Sequence, residues 1–218
     1  MRPKGRVDET APRQQRGAVT EGYMETWFSR VEPVLGAALE LRDIHTSAHC
    51  GRVSQLALMF AEDLGLRGDA LLAVAVAARF HDVGKIGIPD AILYKIGSLN
   101  DAEWEIMKGH SVRGEYIIRM DPHLLMGGEI ARTVRHHHEH YDGNGYPDGL
   151  REQAIPLQAR VLSVIDSYDA IRRRRAYHAA QSHEAAVSIL ASERGTKHDP
   201  QILDAFLSYE RGWFDRLS

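Results

Sequence analysis

The sequence has very little cysteine and no long apolar run, and each scarcity excludes a class of protein. The single cysteine among 218 residues, Cys50, cannot form a disulfide within the chain, which favours a reducing compartment. No apolar stretch approaches the ~18 residues that a membrane-spanning helix needs. The net charge of -3 offers no overall basic field for nucleic acid. We therefore expect a cytoplasmic protein that binds neither a membrane nor nucleic acid.

The composition predicts one domain with a real hydrophobic core, since 44% of the 218 residues are hydrophobic. Residues 1–18 are polar and interrupted by proline and glycine, which predicts a disordered arm or the remnant of a linker. The domain itself is expected at residues 19–218. The outlying feature is the histidine content, because the 12 histidines cluster along the chain.

Apolar spacing of three and four residues predicts helices throughout, and no stretch alternates convincingly as a strand. The fold class is therefore expected to be all-α. Gly65 is expected to close one helix, and Gly84 with Gly87 the next. Asn100 and Glu103 form a plausible capping box. Further helices are expected at 21–43, 157–171, 183–193 and 200–214.

Ligand-type residues occupy positions where these helices should be apolar. His81 and Asp82 continue the stripe of the preceding helix, and Lys85 follows one turn later. The helix that Gly65 closes has its own apolar stripe. Extending this stripe towards the N-terminus gives His49 and then His45 at helical spacing, so we expect both to face the core. The full core-facing set comprises His49, His81, Asp82, His110, His137, His138 and Asp166.

Two alternatives without a metal are hydrogen-bonded core histidines and a solvated helix face, and we expect His136 and His140 to face solvent. Burying the whole core-facing set without compensation would cost several kcal/mol per group. Imidazole and carboxylate suit iron, manganese or zinc, while the lack of thiolate ligands argues against a structural zinc site. So many ligands exceed the needs of one ion, which predicts two ions with Asp82 as a bridging carboxylate. Two such ions acidify a shared water and clamp a displacement at phosphorus.

Several motifs of this chain resemble the HD-GYP family, a branch of the HD phosphohydrolases. The resemblance runs from about Arg42 to Leu207 and rests on four long, ordered motifs. They are His81-Asp82-Val83-Gly84-Lys85, His137-His138-Glu139, Asp142-Gly143 and Gly145-Tyr146-Pro147.

The resemblance implies a helical HD-type domain with a buried centre of two or three metal ions, commonly iron or manganese. It implies hydrolysis of cyclic di-GMP to linear pGpG or GMP, in which a metal-bridging hydroxide attacks phosphorus. The core-facing set matches the family's metal ligands, and Asp82 and Lys85 are the expected catalytic residues. Lys85, Arg175 and His178 are the expected substrate contacts. The Gly145-Tyr146-Pro147 loop is associated with partners, such as a diguanylate cyclase or a regulatory protein, and a homodimer is left open.

Several positions depart from the family pattern, and two of them bear on the site. His45 stands where three-metal relatives carry glutamate, so we expect two ions at rest and His45 only as a ligand of a weak third site. His178 replaces a lysine that helps to bind substrate phosphates, which puts substrate affinity in doubt. Two alternatives stay open: a catalytically silent module that binds a cyclic dinucleotide or a partner, and a phosphohydrolase for another cyclic dinucleotide.

Overall fold

The structure is a computed structural model that describes residues 31–122, 124, 126–173 and 181–209. Residues 31–42 are helical and are called α1. The other helices are α2 (Ile44–Asp63), α3 (Gly68–Phe80), α4 (Asp90–Leu93), α5 (Asp101–Lys108), α6 (His110–Arg119), α7 (Gly127–His136), α8 (Leu157–Arg172), α9 (His183–Ser192) and α10 (Pro200–Leu207). Two 3-10 turns lie between these helices: η1 (Val83–Gly87) between α3 and α4, and η2 (Glu152–Ala154) between α7 and α8. The described part of the chain contains no strand beyond one isolated bridge, so the all-α prediction is confirmed. The expected arm at residues 1–18 lies outside the described residues.

Helix α2 carries the first site histidine. Asp43 caps its start by accepting a hydrogen bond from the backbone N–H of His45, and Gly65 follows its end with a φ of 85°. The predicted stop at Gly65 is therefore confirmed. His45 lies in the first turn with its side chain exposed, whereas His49 is buried. The prediction that both histidines face the core is wrong for His45: in the first turn of α2, Thr46 and Ser47 face the interior, whereas Ile44 and His45 are exposed.

Helix α3 ends at Phe80, earlier than the predicted stop at Gly84. His81 keeps a helical conformation, and Asp82 leaves it with a φ of -97° and a ψ of 4°. The 3-10 turn η1 then lies directly against the start of α6. A Cβ on Gly84 would lie 1.9 Å from the backbone oxygen of His110, so only glycine permits this approach. The approach brings His81, Asp82 and His110 together.

The predicted capping box is present at the start of α5, with reciprocal hydrogen bonds between Asn100 and Glu103. The core lies between α2, α3, α7, α8 and α10, and its largest fully buried hydrophobic side chains include Phe60, Phe80, Ile130, Leu162, Leu203 and Phe206. This packing holds the buried ends of several helices around one polar cluster. In the part of the chain that the structure describes, no helix combines the length and apolar character that crossing a bilayer requires.

Candidate metal centre

Five imidazole rings lie in one continuous cluster at the ends of four helices. The ring centroids of His49 and His81 are 5.3 Å apart, and those of His81 and His137 are 5.1 Å apart. His138 lies 3.9 Å from His137 and 5.1 Å from His110. The structure therefore brings together all five histidines of the predicted ligand set.

Three of these histidines share one arrangement. The Nδ1 atoms of His81, His110 and His137 each lie 2.6–2.8 Å from the carbonyl oxygen three residues earlier, which assigns the proton to Nδ1. Their Nε2 atoms are buried and have no hydrogen-bond partner among the described residues. Leaving three acceptors buried and unsatisfied is costly, whereas a metal ion bound at Nε2 would satisfy each of them. The residues present fit a metal centre.

Asp82 lies between these orphaned nitrogens. Its Oδ1 is 3.3 Å from Nε2 of His110, and its Oδ2 is 3.5 Å from Nε2 of His81. The ammonium of Lys85 lies 2.6 Å from the same Oδ2. Burial alone would raise the pKa of Asp82, but the adjacent Lys85 ammonium is the main charge that holds it well below its usual range. The carboxylate is therefore ionised, with Oδ1 towards His110 and Oδ2 towards His81.

His49 has a different environment, because both ring nitrogens face carboxylates. Its Nε2 lies 2.9 Å from Asp166 and its Nδ1 lies 2.7 Å from Asp169. Burial lowers the pKa of His49, but the two carboxylates outweigh that effect and raise it to about 9. Arg52 in turn holds Asp169 through two hydrogen bonds of 2.8 and 2.9 Å. Asp169 and Arg52 were not among the predicted site residues.

The other imidazoles are kept neutral. Burial lowers the pKa of His110 to about 4 and that of His137 to about 3. Burial also lowers the pKa of His81 and of His138. Neutral imidazole is the form that binds a metal, so these four rings can bind an ion without first losing a proton at neutral pH.

The ligand-type atoms fall into two adjoining groups, each within 4.8 Å. One group is Asp82, His110, His137 and His138, and the other is His49, His81 and Asp166. Together they contain all seven predicted ligands, and His45 belongs to no candidate group among the described residues. A further group adds Cys50, a fully buried thiol, to His81 and Asp82, and this neighbour was not anticipated.

The loop after α7 folds back onto the end of that helix. Glu139 is buried and accepts hydrogen bonds from the backbone N–H groups of Asp148 and Leu150, at 2.7 and 3.1 Å. His136 is also buried, with Nε2 2.8 Å from Asp148, so the prediction that it faces solvent is wrong. Its partner Asp148 lies twelve residues later, in the loop after α7. His140 is half-buried, so it does not form a fully solvated face either.

Two motif glycines in this loop serve different purposes. Gly143 has a φ of 84°, a backbone conformation that favours glycine. A Cβ on Gly145 would lie 2.1 Å from the backbone nitrogen of His140, so this position requires close approach of two backbones. The predicted substrate contacts Arg175 and His178 lie outside the described residues.

Comparison with known proteins agrees with this geometry. The profile of the family described as "HD domain" matches residues 33–202, which is most of the chain. The chain belongs to the HD domain family. Its His81-Asp82 and Gly145-Tyr146-Pro147 motifs assign it to the HD-GYP branch, as the resemblance predicted.

Curated relatives of this HD-GYP domain differ in the nucleotide that their names specify. A cyclic di-GMP phosphodiesterase from Thermotoga maritima is 40% identical over 189 residues, covering 86% of this chain and 50% of the relative. A 3'3'-cGAMP-specific phosphodiesterase from Vibrio cholerae is 34% identical over 177 residues, covering 80% and 33%. The chain thus spans about half the length of the first of these relatives, and a third of the second.

A solved structure supports the fold. Bd1817, described as an HDG"Y"P protein from Bdellovibrio bacteriovorus, superposes with a TM-score of 0.61 at 20% identity. The match covers 89% of this chain and 62% of Bd1817. At this identity the likeness concerns the fold alone, and it confirms the expected helical HD-type domain.

Proposed function

We propose that this protein is a metal-dependent phosphodiesterase that hydrolyses cyclic di-GMP to linear pGpG, GMP or both. The observation that carries the proposal is the set of three buried Nε2 atoms, on His81, His110 and His137, arranged around an ionised Asp82. Such an arrangement suits divalent ions and has no evident purpose without them. The named activities of the relatives supply the substrate class.

We propose two divalent ions, iron or manganese, because the ligands form two groups that meet at His81 and Asp82. When bound, the ions would supply an acidified water and positive charge for the substrate phosphate. His110, His137 and His138 with Asp82 would hold one ion, and His49, His81 and Asp166 the other. A weak third site that uses His45 stays a prediction, and the exposure of that side chain makes it less favoured.

The chain's own residues have distinct tasks in this proposal. Asp82 turns one oxygen towards each ligand group, which suits a bridging carboxylate. Lys85, whose side chain is 19% exposed, offers an ammonium beside that bridge to a phosphate oxygen. The backbone carbonyls that accept from Nδ1 fix the orientation of the histidine rings. Roles for Arg175 and His178, a regulatory partner at the Gly145-Tyr146-Pro147 loop, and a homodimer stay predictions.

Product analysis tests this function directly. The protein is purified without oxygen, incubated with cyclic di-GMP, and the products are separated by chromatography. We expect pGpG or GMP to accumulate, and a chelator to stop the reaction. A metal-loaded protein that binds cyclic di-GMP without consuming it would instead support the silent module.

A second substrate is included because of the Vibrio cholerae relative named for 3'3'-cGAMP. The same assay with 3'3'-cGAMP gives the ratio of kcat/KM for the two nucleotides. We expect cyclic di-GMP to be preferred, and a higher kcat/KM for 3'3'-cGAMP would overturn the choice of substrate while leaving the metal chemistry intact.

A further inference from the structure

A tryptophan lies at the rim of the metal centre with much of its ring exposed. Trp104 is on α5, and 46% of its surface is accessible. Its ring and that of Tyr146 form a T-shaped contact, with centroids 6.1 Å apart and planes at 79°. This contact covers only part of the indole, and the exposed part is in contact with solvent.

Tyr146 connects this tryptophan to the candidate ligands. Its ring lies 4.9 Å from that of His138 at 34°, and 6.4 Å from that of His110. Only one ring therefore separates Trp104 from the metal-binding histidines. Tyr146 is itself held in place, because its backbone N–H donates to the carbonyl of His138. The wall formed by Trp104 and Tyr146 is thus fixed relative to the centre.

A cation completes this wall. Lys108 follows Trp104 by one helical turn, and its Nζ lies 5.9 Å from the centroid of the Tyr146 ring. It also pairs with Glu105 at 2.6 Å. Exposed aromatic surface next to a cation and a phosphate-binding centre has the chemistry of a nucleotide site, in which bases stack and phosphates meet positive charge.

We propose that Trp104 stacks against a nucleobase of the substrate while its phosphate lies at the metal centre. The inference rests on the proposed function for the identity of the substrate, but base stacking can be tested without hydrolysis. Stacking is tolerant of sequence, since every base has an aromatic face. Trp104 therefore raises affinity for cyclic dinucleotides as a class and does not select guanine.

The test compares two ligands that share a phosphate and differ in the base. Binding of GMP and of ribose 5-phosphate to the metal-loaded protein is measured by calorimetry for the wild type, Trp104→Ala and Trp104→Phe. We expect Trp104→Ala to weaken GMP binding about 5- to 150-fold, the range for one stacked base. Ribose 5-phosphate should bind all three proteins alike, and Trp104→Phe should retain most of the affinity for GMP.

A matched control uses another exposed aromatic residue. Tyr116 on α6 is 64% exposed, and Tyr116→Ala should leave both affinities unchanged. Unchanged GMP binding in Trp104→Ala, or an equal loss for both ligands, would overturn the stacking role. A wild type that does not hydrolyse cyclic di-GMP but shows the base-dependent loss would refute the proposed function and leave the stacking role standing.

Discussion

Replacing Asp169 by asparagine tests whether a carboxylate whose side-chain partners among the described residues are His49 and two arginines controls metal affinity. Its Oδ2 accepts from Nδ1 of His49 at 2.7 Å, and its side chain is only 4% exposed. A carboxylate in this position orients the imidazole and increases the basicity of the opposite nitrogen. Asparagine has the same shape and lacks the charge, so the variant removes the electrostatic contribution with little change in packing.

The size of the expected loss in metal affinity follows from the role of such a partner. Removing such a partner of a ligating histidine typically lowers metal affinity about 10- to 100-fold, which corresponds to about 1.4–2.8 kcal/mol. Arg52 shares the carboxylate and neutralises part of its charge, so we expect a value in the lower half of this range. The assay is a calorimetric titration of the metal-stripped protein with Mn²⁺ under anaerobic conditions.

Two arginines at the same carboxylate provide the controls. Arg173 approaches Asp169 only to 4.0 Å and is 55% exposed, so Arg173→Ala should bind metal like the wild type. The Mn²⁺ affinity of Arg52→Ala should lie between those of Arg173→Ala and Asp169→Asn. This variant removes the hydrogen bonds that hold the Asp169 carboxylate in place but leaves its charge. Wild-type Mn²⁺ affinity in Asp169→Asn, with an unchanged Tm, would refute the idea that this carboxylate prepares His49 to bind an ion.

Three further predictions concern other parts of the site. Lys85→Ala should retain metal but slow hydrolysis about 10- to 150-fold, because one charge-assisted contact of roughly 1.5–3 kcal/mol is lost; loss of metal instead would assign Lys85 to the stability of Asp82, which it contacts. Gly84→Ala should lower Tm strongly, since its Cβ would meet a backbone oxygen at 1.9 Å, whereas Gly51→Ala, with open space around its Cβ, should be neutral or stabilising; equal Tm values would contradict the close packing of η1. The pKa of Asp148 is lowered chiefly by Arg135, so its contribution to stability is present above the unfolded pKa of ~3.9 and is lost as pH falls through the folded value. The Tm of Asp148→Asn should therefore be lower than that of the wild type at pH 7 and approach it below about pH 4, and a constant difference would disprove the linkage.

Helical periodicity was enough to find the residues that gather at the site. His49, His81, His110 and His137 continue or extend apolar stripes of their helices, and a stripe can bury its polar members only where helices meet. The spacing of apolar residues does not show where a helix begins, so the prediction that His45 faces the core was wrong. Asp43 caps the start of α2, and in the first turn Thr46 and Ser47 are buried whereas Ile44 and His45 are exposed.

Contacts between distant segments could not be predicted in this way. Asp169 and Arg52 are 117 residues apart, and their pairing depends on how α8 packs against α2. The burial of His136 likewise depends on the loop that brings Asp148 back over α7. Neither contact leaves a periodic signal, because each depends on the tertiary arrangement and not on the spacing within one helix.

The metal content of the anaerobically purified protein, measured beside that of Asp82→Ala, tests the central claim most directly. The account predicts about two divalent ions per wild-type chain, since the ligands form two groups that meet at His81 and Asp82. It predicts that Asp82→Ala, still folded by circular dichroism, loses at least one of them together with hydrolysis. A wild-type chain that binds no ion under these conditions, or an Asp82→Ala variant with full metal content and normal turnover, would contradict it.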